Sequence, residues 1–161
     1  MTTLAVTGHI DLTEETVPLV RAALREVLAP YSEDLTGVSC IAAGADSLFA
    51  EEVSAIGGRL VVVVPSLDYR SAVVRPEDAA VHDHLNETAV EVVTLPFEIA
   101  DRTAYEAANA ELLKRADRLV AVWDGTPPSG NGGGTADLVE EARRTGVPVD
   151  VVWPDGAARR G

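Results

Sequence analysis

Gly132, Gly133, Gly134 and Thr135 stand directly before a helix pattern that begins at about Ala136. Glycine has no side chain, so backbone amides can approach a phosphate closely. A helix start adds free N–H groups and a favourable dipole. Thr135 either caps the helix or donates to a phosphate oxygen. The alternative is a surface loop that needs only a positive φ. A second stretch, AAGADSLFAEEV, repeats the logic with Gly44, Ala45, Asp46 and Ser47. Gly44 allows close approach, and Asp46 either caps the next helix or accepts from a ribose hydroxyl. Gly8 and His9 follow the first apolar run. His9 is a contact to a base or phosphate, or a turn residue. Tyr105 and Asn109 are four apart and share a helix face. Such a pair can stack on and hydrogen-bond a base or ribose; packing is the bland alternative. Trp123 is core or a stacking wall.

Other chemistries find less support. No Gly-Lys-Thr/Ser phosphate loop occurs, and no Gly-x-Gly-x-x-Gly follows the first strand. Neither ATP hydrolysis nor nicotinamide chemistry is expected, and no cofactor is assigned. His82 and His84 are two apart, so on a helix they point about 200° apart. No metal site is expected from them. Cys40 sits in an apolar run and reads as core. No nucleophile elbow or Ser-His-Asp arrangement is present.

These residues need elements to hold them. Thr3 to Thr7 reads as a strand, followed by a helix opened by Thr13 and ended by Pro30. Val38 to Ala43 reads as a strand, then a helix capped by Asp46 or Ser47. LVVVV, Leu60 to Val64, is apolar throughout, as a central strand covered on both faces would be. Ser66 to Pro76 has no period and reads as a loop. Glu77 to Thr88 is a helix, Glu91 to Leu95 a strand. Thr103 and Glu106 form a capping box for a helix reaching about Arg115. Arg118 to Trp123 is a strand, Ala136 to Thr145 a helix, and Val147 to Val152 the last strand. This alternation implies an α/β, Rossmann-like three-layer fold with a mainly parallel sheet and helices on both faces. One domain, residues 1–153, with a frayed tail at 154–161, is expected. In such sheets ligands bind outside the carboxyl ends of the strands. That rule gathers Gly8-His9, Gly44–Ser47, Pro65-Ser66 and the stretch from Asp124 onward.

The chain has 161 residues, 47% of them apolar, and one cysteine. Its net charge is −13, from 13 basic and 26 acidic residues. A polyanion would be repelled by that balance, so the expected partners exclude nucleic acid. No apolar run reaches the length of a membrane span, so no membrane partner is expected. Met1-Thr2-Thr3 lacks a basic signal-peptide start, which places the protein in the cytoplasm as an expectation.

The segments VTGH, AAGADSLFAEE, YEAANAELLKRADRLVAVWDG and GGGTADLVEEARRTGVPV together resemble the SLOG superfamily. These are Rossmann-like nucleotide-binding proteins related to the lonely-guy phosphoribohydrolases and to DNA-processing protein A. The resemblance implies a nucleotide-type ligand at the strand ends. Its enzymes carry Pro-Gly-Gly-x-Gly-Thr-x-x-Glu. Here one loop residue and the proline are missing, and Leu138 stands at the glutamate's place. The candidate substitutes are Asp137 and Glu140, with the catalytic residue itself unassigned. The leading expectation is a sensor or carrier domain for a nucleotide or nucleotide-derived ligand. A nucleoside-monophosphate N-glycosidase, or an interaction module with a vestigial pocket, are the alternatives. A homodimer fits the resemblance.

Overall fold

A computed structural model of the protein describes residues 1–130 and 132–161. Six strands form one sheet: β1 (Thr2–Gly8), β2 (Leu35–Ser39), β3 (Arg59–Val64), β4 (Glu91–Thr94), β5 (Arg118–Val122) and β6 (Val149–Val152). The helices are α1 (Thr16–Leu28), α2 (Ala45–Ala55), α3 (Tyr69–Ala72), α4 (Ala79–Thr88), α5 (Arg102–Arg115) and α6 (Thr135–Thr145). Short 3-10 turns cover Ala29–Tyr31 and Pro76–Asp78.

The strand order is β4-β3-β2-β1-β5-β6, and every pairing is parallel. The chain builds outward from β1 to β4, then returns through α5 to place β5 on the other side of β1. The direction of winding therefore reverses between β1 and β5. Strands lean alternate side chains to opposite faces. Leu4 and Val6 meet α1 and α2 through Val20, Leu24, Phe49 and Val53. Ala5 faces the other way, with Ala108 and Leu112 of α5 and Leu138 and Val139 of α6. Val61 and Val63 also face that second layer, whereas Leu60 and Val62 pack with Ala50 and Leu85 of α2 and α4. Both faces of β3 are covered, which is why its run is apolar without alternation.

An ion cluster around one buried carboxylate ties the first layer together. Glu52, 4% exposed, accepts from Arg21 Nη1 at 2.7 Å and Arg25 Nε at 2.6 Å. Burial opposes its charge, but the two guanidiniums hold its pKa below the ordinary value.

Several boundaries differ from the sequence reading, each for a local reason. β2 starts at Leu35 and ends at Ser39, not at Ala43. The buried Ser39 hydroxyl accepts from Ile41 N and donates to Asp46 O, turning the chain out of the sheet. Cys40 therefore lies beyond the strand rather than inside it. The α2 cap is Gly44, not Asp46 or Ser47. The α5 cap is Asp101, whose side chain accepts from Ala104 N at 3.0 Å, rather than Thr103. The Ser66–Pro76 loop contains α3, whose Tyr69 is buried. The tail is tied down: Ala158 N donates to Thr16 Oγ1 at 2.8 Å, and Arg160 N to Asp11 O at 2.7 Å.

Candidate functional site

A cleft of about 380 Å³ opens at the carboxyl ends of the strands, where the winding reverses. The register sets Gly8 beside Val122, so the loops leaving β1 and β5 start level. One wall is the start of α6. Gly132 and Gly133 both take left-handed φ values, +74° and +72°. A Cβ on Gly133 would lie 2.7 Å from the Cβ of Tyr105, so glycine is what lets this loop press onto α5. Gly134 N donates to Asp137 Oδ2 at 3.0 Å. Gly134 has no side chain to return the bond, so this is half of a capping box. The Thr7 hydroxyl at the end of β1 donates to the Thr135 hydroxyl at 3.5 Å. The first-turn amides of Thr135, Ala136 and Asp137 have no acceptor within the helix. Together with the dipole they form a surface suited to an anion.

The Asp124 turn forms the next wall. Asp124 Oδ1 accepts from the Thr126 amide at 2.9 Å and from the Thr126 hydroxyl. Trp123 Nε1 donates to Thr126 O at 3.0 Å, and the Arg143 guanidinium lies 5.9 Å from the Trp123 ring centre. His9 is buried, edge-on to Trp153 at 5.7 Å. Its Nε2 lies 3.1 Å from Asp124 Oδ1 and 3.2 Å from the Asp124 amide nitrogen. That nitrogen either donates to the carboxylate or accepts from the amide, since one site cannot do both. Burial opposes the charge on Asp124, yet the Thr126 bonds and His9 hold its pKa well below the carboxylate range. Arg159 reaches in from the tail, bound to Asp11 at 2.9 Å and 3.6 Å from Asp124 Oδ2. Its distance of 150 residues from His9 left no local signal in the sequence.

A second part of the lining, the inner end, holds Cys40, Asp46 and Tyr69 near enough for their charges to interact, with Tyr105 on α5 nearby. Asp46 is 8% exposed, and burial raises its pKa to about 7 against the pull of an Ala42 backbone hydrogen bond. Burial, and then Asp46, push the Cys40 thiol up. Tyr69 is raised by burial and by Cys40 and Asp46, Tyr105 by burial and by Asp68.

Of the residues singled out in the sequence, Gly8, His9, Asp46, Tyr105, Asn109, Gly133, Gly134, Thr135 and Asp137 line this cleft. Gly44, Ala45 and Ser47 stand behind it. A Cβ on Gly44 would lie 2.6 Å from His9 O, Ala45 N donates to that same oxygen at 3.2 Å, and Ser47 Oγ donates to Ala42 O at 2.7 Å. Gly132 and Glu140 open onto a different groove, about 850 Å³, between α5 and α6. Leu138 is buried in the core. His82 packs against Tyr69 while His84 is exposed. Among the described residues no three His, Cys, Asp or Glu side chains gather as metal ligands. Thr7, Tyr69 and Arg159 are additions, brought in by tertiary packing.

No protein-family model and no curated protein sequence matches the chain. Solved structures do. DNA processing protein A from Streptococcus pneumoniae superposes with a TM-score of 0.70 at 15% identity, over 97% of this chain and 52% of that one. The fold is a Rossmann-like fold shared with these proteins. DNA processing protein A from Helicobacter pylori gives 0.69 at 15% identity, over 98% of this chain and 68% of the other. The Moco carrier protein from Chlamydomonas reinhardtii gives 0.56 at 17%, over 94% and 75%. The chain thus spans about half the length of the S. pneumoniae protein.

The exclusion of nucleic acid drawn from net charge is corrected by this fold. The H. pylori protein is described by its single-stranded DNA binding mode. Net charge is a sum over the whole surface, whereas screening limits its reach to about 8–10 Å; it does not describe the local field of a cleft. No helix among the described residues is long and apolar enough to cross a membrane.

Proposed function

We propose that the cleft binds a phosphate-bearing, nucleotide-type ligand, the chain acting as a sensor or carrier domain. One observation carries the reading: the amide-rich start of α6, with Gly133, Gly134 and Thr135, opens onto the cleft at the β1/β5 reversal. Backbone amides and a helix dipole suit a phosphate without a lysine. Thr7 and Thr135 offer hydroxyls beside the same amides. Tyr105 and Asn109 line the same cleft. That fold neighbours include a carrier protein and a single-stranded DNA binder fits a ligand at this edge.

The proposal is one of binding. Leu138 fills the glutamate's place with a core side chain, and the Asp137 carboxylate is engaged on Gly134 N. Isothermal titration with nucleoside mono- and diphosphates, ADP-ribose and cyclic dinucleotides tests it. At least one is expected to bind below millimolar concentration. No heat from any of them at millimolar ligand would overturn the reading.

A further inference from the structure

The two ends of the cleft differ in character. The inner end is lined by Cys40, Ala42, Asp46, Pro65 and Tyr69, with Tyr105 nearby. Among the described lining residues the one guanidinium is Arg159, which stands beside the Asp124 turn and is already bound to Asp11. A second phosphate at the inner end would face the Asp46 carboxyl with no cation to offset it. The tyrosine, proline and alanine surfaces suit a flat ring instead.

Asp46 gives that ring a direction. It is more than nine-tenths buried, yet it lines the cleft. Among the described residues the Ala42 backbone is the one hydrogen-bond partner of its carboxyl. A carboxylate has about four acceptor sites, so most of its capacity meets no donor among the described residues. A buried polar group left short of partners costs stability. A ligand carrying donors would meet that demand.

We propose that the inner end of the cleft takes a nitrogen heterocycle with adjacent N–H donors, an amino group beside a ring N–H as in guanine-type bases, bound by the Asp46 carboxylate. This rests on the reading of the α6 end as the phosphate site. An adenine-type edge sets an acceptor nitrogen beside its amino group, so one carboxylate oxygen would meet a lone pair.

The carboxylate form is the binding form. Asp46 titrates at about 7, so about one molecule in ten is ionised at pH 6 and nine in ten at pH 8. Other titratable groups face the region. Cys40 follows β2, Tyr69 lies on α3, Tyr105 on α5, and burial keeps all three neutral across this range. His9 and Asp124 line the loops after β1 and β5, Arg159 comes from the tail, and His82 on α4 backs Tyr69. All remain in Asp46→Asn, so that variant isolates the aspartate.

The experiment is isothermal titration of the whole chain with GMP, AMP and ribose 5-phosphate, at pH 6 and pH 8, on the wild type and Asp46→Asn. The wild type is expected to prefer GMP over AMP by at least tenfold at pH 8. That ratio should fall about tenfold at pH 6. Asp46→Asn, with one donor and one acceptor like the asparagines that read adenine, should abolish or reverse the preference at both pH values. Equal affinity for GMP and AMP in the wild type at pH 8 overturns the proposal, as does a GMP preference that survives in Asp46→Asn. The wild-type pH comparison needs no variant to fold. Ribose 5-phosphate separates the two claims. If it fails to bind while GMP is preferred, the phosphate site falls and the base site stands. If it binds while GMP and AMP are equal, the reverse holds. If nothing binds, both fall.

Discussion

Replacing Asp46 by asparagine should stabilise the protein, and should do so more at high pH. An ordinary aspartate titrates at 3.8, whereas burial lifts Asp46 to about 7. Between those values the folded state holds more protons than the unfolded one, so stability falls as pH rises from about 4 to 7. At one pKa unit per 1.36 kcal/mol, the full cost above pH 7 is about 4 kcal/mol. At pH 5 the folded carboxyl is still neutral, and the linkage cost is about 1.5 kcal/mol. Asparagine has no charge to lose. Its advantage over the wild type should therefore grow by about 2.5 kcal/mol from pH 5 to pH 8. With a urea slope of about 2 kcal/mol per molar, the midpoint difference widens by about 1 M. Urea unfolding of both proteins at the two pH values measures it. A midpoint difference that stays the same at pH 5 and pH 8 would mean that Asp46 ionises normally in the fold. The burial argument, and the recognition role built on it, would then fail. A group that lowers stability where it stands is what a binding residue is expected to be.

Other consequences follow from single contacts. Glu52→Gln should lose about 1–3 kcal/mol at pH 7, because two guanidiniums lose their buried partner. Its lowered pKa means that the difference from wild type should shrink as pH falls below the ordinary glutamate value of 4.5, which urea unfolding at pH 7 and pH 4 would register. Gly8→Ala would set a Cβ 2.4 Å from that of Ala45 and 2.8 Å from that of Val122. Such overpacking costs about 1–3 kcal/mol, seen as a fall in Tm of about 5 °C by calorimetry. Asp137→Ala removes the bond from Gly134 N. It should weaken the start of α6 by about 1 kcal/mol, read as faster amide exchange from Thr135 to Val139 with the sheet unaffected.

Much of the fold was legible because it is written locally. LVVVV declares a strand covered on both faces, and β3 has α2 and α4 on one side and the second layer on the other. The helix after Gly134 was legible from glycines that stop one element and an alternation that starts the next. What escaped depended on single hydroxyls and distant chain. Ser39 ends β2 with its side chain, a use of serine that an apolar run through Ala43 conceals. Asp101 outcompetes Thr103 because its carboxylate reaches Ala104 N. The spacing that makes Gly44, Ala45 and Ser47 look like a ligand loop also serves to hold the His9 and Ala42 carbonyls. Asp46 alone of that group reaches the cleft, and burial, not its sequence neighbours, decides its chemistry. Arg159 enters through the packing of the tail onto Asp11 and Thr16.

The central claim is that the start of α6 holds a phosphate. The most direct test is a titration of the isotope-labelled chain with ribose 5-phosphate, followed through backbone amide resonances. The amides of Thr135, Ala136 and Asp137 should shift together and saturate, with Thr7 following beside them. Saturable shifts elsewhere that leave the Thr135, Ala136 and Asp137 amides unmoved, or no saturable shift at millimolar ligand, would contradict the account.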